Sequence, residues 1–138
     1  MSLAILDRNC ARPLAPRVNR FTARFWDALA RGELQTTRCA DCARASFPPR
    51  QFCPGCGGTR MEWMGLQGTG TLYAHTTVHA APSMFPTPYT LAIVDLDEGL
   101  RVVTRLVDTP TKPMPGTRVR LVVTRYTDGC LFEAAAES

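Results

Sequence analysis

Two Cys-x-x-Cys pairs, Cys39-Ala-Asp-Cys42 and Cys53-Pro-Gly-Cys56, stand ten residues apart in this chain. Zinc takes four ligands at tetrahedral corners, about 2.3 Å from each sulfur, and one tight turn carrying such a pair delivers two of them. The ten-residue interval lets an antiparallel arm return from one turn to the other. Pro54-Gly55 and Gly57-Gly58 give the second turn positive-φ freedom; Ala40 and Asp41 do this less clearly for the first. Four thiolates fill the coordination sphere and leave no position where a water could be activated. The expectation is one structural zinc per chain on Cys39, Cys42, Cys53 and Cys56, contributing to folding itself.

All six cysteines could instead form three disulfides in a secreted protein. The paired spacing argues against that, as does the opening Met1-Ser-Leu-Ala-Ile-Leu6 run, which Asp7 and Arg8 interrupt too early for a signal-peptide core. No stretch approaches the roughly 20 apolar residues of a membrane helix, so the reading is a cytoplasmic protein without membrane contact. Cys130, at a strand start, reads as a small buried hydrophobe.

At 138 residues the chain suits one domain, or a mini-domain joined to a small one. Residues 1–17, with Pro13 and Pro16 and no periodicity, read as an irregular arm. From Val18, Phe21, Phe25 and Leu29 recur at helical spacing and Gly32 offers a left-handed cap, predicting a helix over 18–31 in a segment 18–33. A zinc ribbon follows over 34–65. From 66 to 138 the signals are β: Thr71-Leu-Tyr-Ala-His-Thr-Thr-Val78, then Tyr89-Thr-Leu-Ala-Ile-Val-Asp-Leu96, the Asp97-Glu98-Gly99 hairpin, Leu100–Val107, Arg118–Thr124 and Cys130–Glu133. The fold class is therefore mainly β: an N-terminal helix, a rubredoxin-like zinc ribbon, then a five-stranded OB-fold barrel with a long first connection.

Catalytic patterns are missing. His75 and His79 on one strand lie about 13 Å apart at roughly 3.3 Å per residue and cannot share an ion; His79 could still meet a ligand by itself at the barrel mouth. None of the four serines sits in a Gly-x-Ser-x-Gly elbow, and Gly68-Thr-Gly70 opens a strand instead of a phosphate-binding helix. Single-stranded nucleic acid suits an OB barrel and a formal charge of +4, but four thiolates and a divalent ion together subtract two. Between Thr90 and Val107 no aromatic offers a stacking platform, and the hairpin tip is acidic. An independent coenzyme A-dependent enzyme is the other alternative.

The order Phe25-Trp26, Cys39-Ala-Asp-Cys42, Phe47-Pro-Pro-Arg50, Cys53-Pro-Gly-Cys56, Gly68-Thr-Gly-Thr-Leu-Tyr73, Thr76, Pro88-Tyr89 and Val94-Asp-Leu-Asp-Glu-Gly99 resembles the family of acyl-CoA-associated zinc-ribbon and OB-fold proteins over residues 20–133. The resemblance implies a non-catalytic accessory subunit in a hetero-oligomer with a thiolase-fold enzyme, helping to admit or hold coenzyme A or an acyl-CoA while the partner performs the chemistry. Two stretches fit a partner or pantetheine contact. One is the connection from His79 to Tyr89, presenting Met84 and Phe85 between prolines; the other is the helix with Phe21, Phe25 and Trp26. Fifteen of the sixteen basic residues are arginine, the side chain suited to phosphate. Arg50, Arg101, Arg105, Arg118 and Arg120 are all candidates for the phosphates, and the sequence does not choose among them.

Overall fold

The helix forms where the apolar spacing places it, but it is shorter. In the computed structural model, which describes residues 2–137, α1 spans Ala23–Ala30 and buries Phe25, Ala28 and Leu29. Its predicted first turn is taken by a side-chain exchange: Asn19 N–H donates to Thr22 Oγ1 (2.9 Å) and Thr22 N–H to Asn19 Oδ1 (2.8 Å). Asn and Thr compete with the helical ladder in this way, so regular helix begins only after them. At the other end Gly32, with φ +84°, donates to the Leu29 carbonyl and Glu33 to that of Ala28, which is a Schellman closure. A Cβ at Gly32 would sit 3.3 Å from the Leu3 carbonyl as well as in a strained backbone region. Gly32→Ala is expected to lower stability by about 1–2 kcal/mol in a urea titration.

The ribbon is a three-stranded antiparallel sheet ordered β3-β2-β4, from β2 (Leu34–Cys39), β3 (Ala45–Ser46) and β4 (Met61–Leu66). The Thr36 hydroxyl bonds the Ser46 carbonyl, and Thr37 Oγ1 both accepts from Arg50 N–H (2.8 Å) and donates to the Arg50 carbonyl (3.0 Å). Two threonines buried on β2 thus hold the crossing segment between the cysteine pairs.

The barrel is made by β5 (Thr69–Val78), β6 (Tyr89–Leu96), β7 (Arg101–Leu106), β8 (Arg118–Tyr126) and β9 (Gly129–Ala136). Each neighbour pairs in the order β8-β5-β6-β7-β9, and β8 pairs with β9 to close the cylinder. The β7–β9 junction is parallel and the other four are antiparallel. The fold is the expected one: mainly β, one short helix, a ribbon, then a closed five-stranded OB barrel. Strand β6 alternates half-buried and buried along its whole length, sending Ala92, Val94 and Leu96 inward to meet Leu72, Val102, Val119, Leu121 and Val123. The hairpin falls at Asp97–Gly99 as expected, with Gly99 at φ +87°. Cys130 is buried in the core.

The arm departs from expectation. Ile5–Asp7 is a strand, β1, running parallel to β8 with Ile5 opposite Val123. Leu3 is buried against Gly68, where any Cβ would come within 2.8 Å of its Cδ2. Ion pairs Arg125–Asp7 (2.8 Å) and Arg12–Asp128 (3.5 Å) lace the rest of the arm to the barrel. A three-residue parallel pairing has no periodicity of its own to read, so only the exposed edge of β8 specifies it. Among the described residues no helix is long and apolar enough to cross a membrane.

Candidate functional site

The four ribbon cysteines converge. Their sulfurs lie within 4.8 Å of one another, with Cys39–Cys56 at 3.7 Å and Cys42–Cys53 at 3.4 Å. A tetrahedron of sulfurs around a zinc-sized ion has edges of about 3.8 Å, so the cluster is positioned to bind one metal ion. Cys39 and Cys53 are buried; Cys42 and Cys56 are exposed.

Two matching turns build the cluster. In the first, Ala43 N–H donates to the Cys39 carbonyl and Cys39 N–H to that of Arg44, both at 2.9 Å. In the second, Gly57 donates to Cys53 at 2.9 Å and Cys53 to Gly58 at 2.8 Å. Both turns require positive φ at the residue after the second cysteine, +77° at Gly57 and +67° at Ala43. The sequence pointed to the glycine turn and left the first obscure, because there an alanine occupies the left-handed position at a steric cost of about 1–2 kcal/mol. Ala43→Gly is therefore expected to raise stability by about 0.5–1 kcal/mol, read as a higher urea midpoint with unchanged metal content. Gly58 has a different constraint: a Cβ there would stand 3.0 Å from Asp41 Oδ2 and 3.3 Å from the Cys56 sulfur.

The electrostatics of the bare cluster call for a cation. Cys53 is pulled down to about 6, foremost by the backbone N–H of Cys56, with that of Gly55 adding. Cys56 is lowered by the Gly58 amide, but the sulfurs of Cys39 and Cys42 outweigh it and push the thiol up to about 12. Four sulfurs this close cannot all be anionic without a positive ion between them, so metal uptake is coupled to proton release. Arg60 closes the outside by pairing with Asp41.

The other expected contact residues separate into two groups. Phe25 and Trp26 meet edge to face at 4.9 Å and join a triad brought from three parts of the chain: Phe25–Phe47 at 5.9 Å, Phe25–Phe132 at 6.3 Å and Phe47–Phe132 at 5.9 Å. With Pro48, Val103 and Arg17 these rings line an open groove of about 550 Å³ between α1, the ribbon and β7. Phe47 and Phe132 were missed as contact residues. Phe47 lay in plain sight within Phe47-Pro-Pro-Arg50, whereas Phe132 on β9 had no signal beyond strand propensity. Met84 and His79 stay exposed on the β5–β6 connection, and Phe85 packs on Tyr89 at 6.3 Å; none of the four lines this groove. Phe21 packs on Trp63 at 5.2 Å, over which Arg24 also lies.

A second cleft, about 490 Å³, opens where the ribbon meets the β6–β7 hairpin and shares Phe47 and Arg101 with the groove. Arg50 lines it together with Arg44. Three of the barrel arginines have partners of their own: Arg101 with Asp95 (2.7 Å) and the Tyr73 ring (4.0 Å), Arg118 with both oxygens of Asp97 (2.7 and 2.8 Å), and Arg105 over Tyr89 (5.3 Å). The Arg118 hydrogen bonds hold Asp97 down to about 2.

Comparison with known proteins agrees with this anatomy. The family profile "ChsH2, rubredoxin-like zinc ribbon domain" matches residues 26–62, and "ChsH2, C-terminal OB-fold domain" matches residues 63–124. A solved structure titled "Ltp2-ChsH2(DUF35) aldolase" superposes with a TM-score of 0.76 at 33% identity, covering 88% of this chain and 98% of that one. A probable enoyl-CoA hydratase alpha subunit from Thermomonospora curvata is 38% identical over 93 residues, 67% of this chain and 29% of the relative. The benzoylsuccinyl-CoA thiolase subunit BbsA of Thauera aromatica is 32% identical over 77 residues, 56% of this chain and 54% of the relative. The chain thus spans between about a third and a half of the length of these two curated relatives.

Proposed function

Because the chain belongs to the family of ChsH2-type DUF35 proteins, in which a rubredoxin-like zinc ribbon precedes an OB-fold domain, we propose that it is a non-catalytic accessory subunit of a thiolase-fold enzyme acting on acyl-CoA. In this reading one structural zinc sits on Cys39, Cys42, Cys53 and Cys56 and supplies rigidity, with no open position for chemistry. The chain docks on its partner in a hetero-oligomer and receives the pantetheine or acyl portion of the thioester. The relatives named as a thiolase subunit and as part of an aldolase complex support this assignment.

The observation that carries it is the apolar groove beside α1. Rings from Phe25, Trp26, Phe47 and Phe132 stand around it, and Val103, 61% exposed on β7, forms its rim. An aromatic-lined slot of this size takes an apolar chain or a partner side chain better than water. Single-stranded nucleic acid fits the barrel less well. The middle of the β6–β7 face carries Leu91, Ile93 and Val103 where stacking rings belong, and Tyr89 at the start of β6 is taken up by Phe85 and the Arg105 guanidinium.

The test is co-purification of the tagged chain from native cells, followed by binding of the recovered enzyme to variants. A thiolase-fold subunit should be recovered. Val103→Arg, at an exposed rim position that carries no core load, should weaken the complex at least tenfold without loss of metal or stability. Trp26→Ala should act in the same direction. Recovery of nucleic acid with no enzyme, or a Val103→Arg complex as tight as the parent, refutes the proposal.

A further inference from the structure

We propose that the apolar groove beside α1 seats a segment of the partner enzyme in which an apolar side chain is flanked by aspartate or glutamate, with Arg17 pairing the carboxylate. The inference rests on the docking half of the function proposed above. It goes beyond that reading by naming what enters the groove and with which charge.

The walls call for an apolar occupant. Phe25, Trp26, Phe47, Phe132 and Val103 surround the groove, and Pro48 and Pro49 stiffen its ribbon side. The rings already rest on one another, Trp26 on Phe25 at 4.9 Å and Phe47 on Phe132 at 5.9 Å, so the walls stand before anything binds. Preformed aromatic walls of this kind are where protein interfaces concentrate their binding energy.

The open side decides between a small molecule and a protein. A ligand pocket buries about 70–90% of its guest, whereas this groove lies open along a rim where Val103 is 61% exposed. An acyl chain laid there would keep one flank in water. A partner surface brings its own cover, and Val18, the neighbour of Arg17, adds apolar area for it at 54% exposure.

Charge sets the flanks of the incoming segment. The charged residues lining the groove are Arg17 and Arg101, and no carboxylate lines it. Arg101 is held by Asp95 at 2.7 Å, but among the described residues Arg17 has no ion-pair partner. Thr22, where α1 begins, also lines the groove, and the first turn of the helix carries no acidic residue to offset its positive end. An apolar floor in a positive field is complemented by an apolar segment with acidic flanks. A guanidinium meets a carboxylate through two parallel hydrogen bonds, which would also fix the register of that segment.

The test uses the metal-loaded full chain and the enzyme recovered with it. Arg17→Glu should weaken the complex at least tenfold with metal content and urea midpoint unchanged, while Arg17→Lys should stay within about threefold of the parent. Val103→Glu should weaken it more than Val103→Arg, an order that loss of apolar contact alone would not produce. A photo-crosslinking benzoylphenylalanine at position 18, just beside the groove, should label a partner segment with an acidic residue within about four positions of an aromatic or aliphatic one. Reversing the charge of that acidic residue should restore binding to Arg17→Glu. An intact complex that ignores Arg17→Glu, or a labelled segment without acidic residues, overturns the inference and leaves the accessory-subunit function standing. Saturable binding of octanoyl-coenzyme A to the free chain, abolished by Trp26→Ala, hands the groove to the thioester and overturns it as well. Failure to recover any enzyme removes the function and this inference together.

Discussion

On the proposed structural-zinc reading, Cys53→Ser should take zinc from one equivalent to near zero and should melt residues 39–58. Cys53 is buried, its sulfur accepts the Gly55 N–H at 3.3 Å, and its backbone closes the second turn through Gly58. Structural zinc in comparable small folds contributes on the order of 10 kcal/mol to folding, as much as the whole stability of a typical domain. Serine cannot replace the thiolate as a soft donor, and the three remaining sulfurs would keep their mutual repulsion. The barrel core, built on Leu72, Val94, Leu121 and Val123, stands on other strands. Hydrogen exchange should therefore show lost protection at residues 39–58 and retained protection on β6 and β8. A variant that keeps stoichiometric metal and an unchanged melting temperature would refute the structural role.

Gly70→Ala is expected to be nearly as severe, for a reason unrelated to metal. Gly70 lies in the middle of the barrel wall, opposite Leu96 of β6 on one side and Val119 of β8 on the other. A Cβ there would run into the Asp95 carbonyl and stand 2.9 Å from Leu96 Cα, both backbone atoms that no rotamer change can move. Relief requires β5 and β6 to part where their ladder begins, so a loss of about 4 kcal/mol is expected, at the upper end for a single substitution. Gly65, on β4, provides the contrast: nothing stands within 4 Å of its Cβ position and its φ is ordinary. Gly65→Ala should change stability by no more than about 1 kcal/mol, and in the favourable direction. Equal urea midpoints for the two variants would remove the close-packing argument.

Both expectations rest on features that the sequence displayed before any coordinates: a cysteine spacing and a Gly-Thr-Gly run at the opening of a strand. The first was legible in full because coordination chemistry is local. The second was read only as a strand opening; that Gly70 faces a carbonyl across the sheet is a matter of register, which belongs to two strands at once.

Coordination and backbone sterics act within a few residues of the chain, and what they govern could be read directly. The convergence of the four ribbon cysteines, the Gly32 closure, the hairpin at Gly99 and the alternation of β6 all belong here, and together they were enough for the architecture. Three other features became visible only after folding. Ile5–Asp7 became a strand because β8 offered an edge. Phe25, Phe47 and Phe132, more than a hundred residues apart at the extremes, became one groove because helix, ribbon and barrel pack together. Among the arginines, Arg101 and Arg118 pair with carboxylates across the sheet, while Arg44 and Arg50 line the cleft without an ion-pair partner among the described residues. Each outcome depended on which distant surfaces met, and that is settled by burying apolar area over the whole chain, a quantity no short stretch of sequence contains.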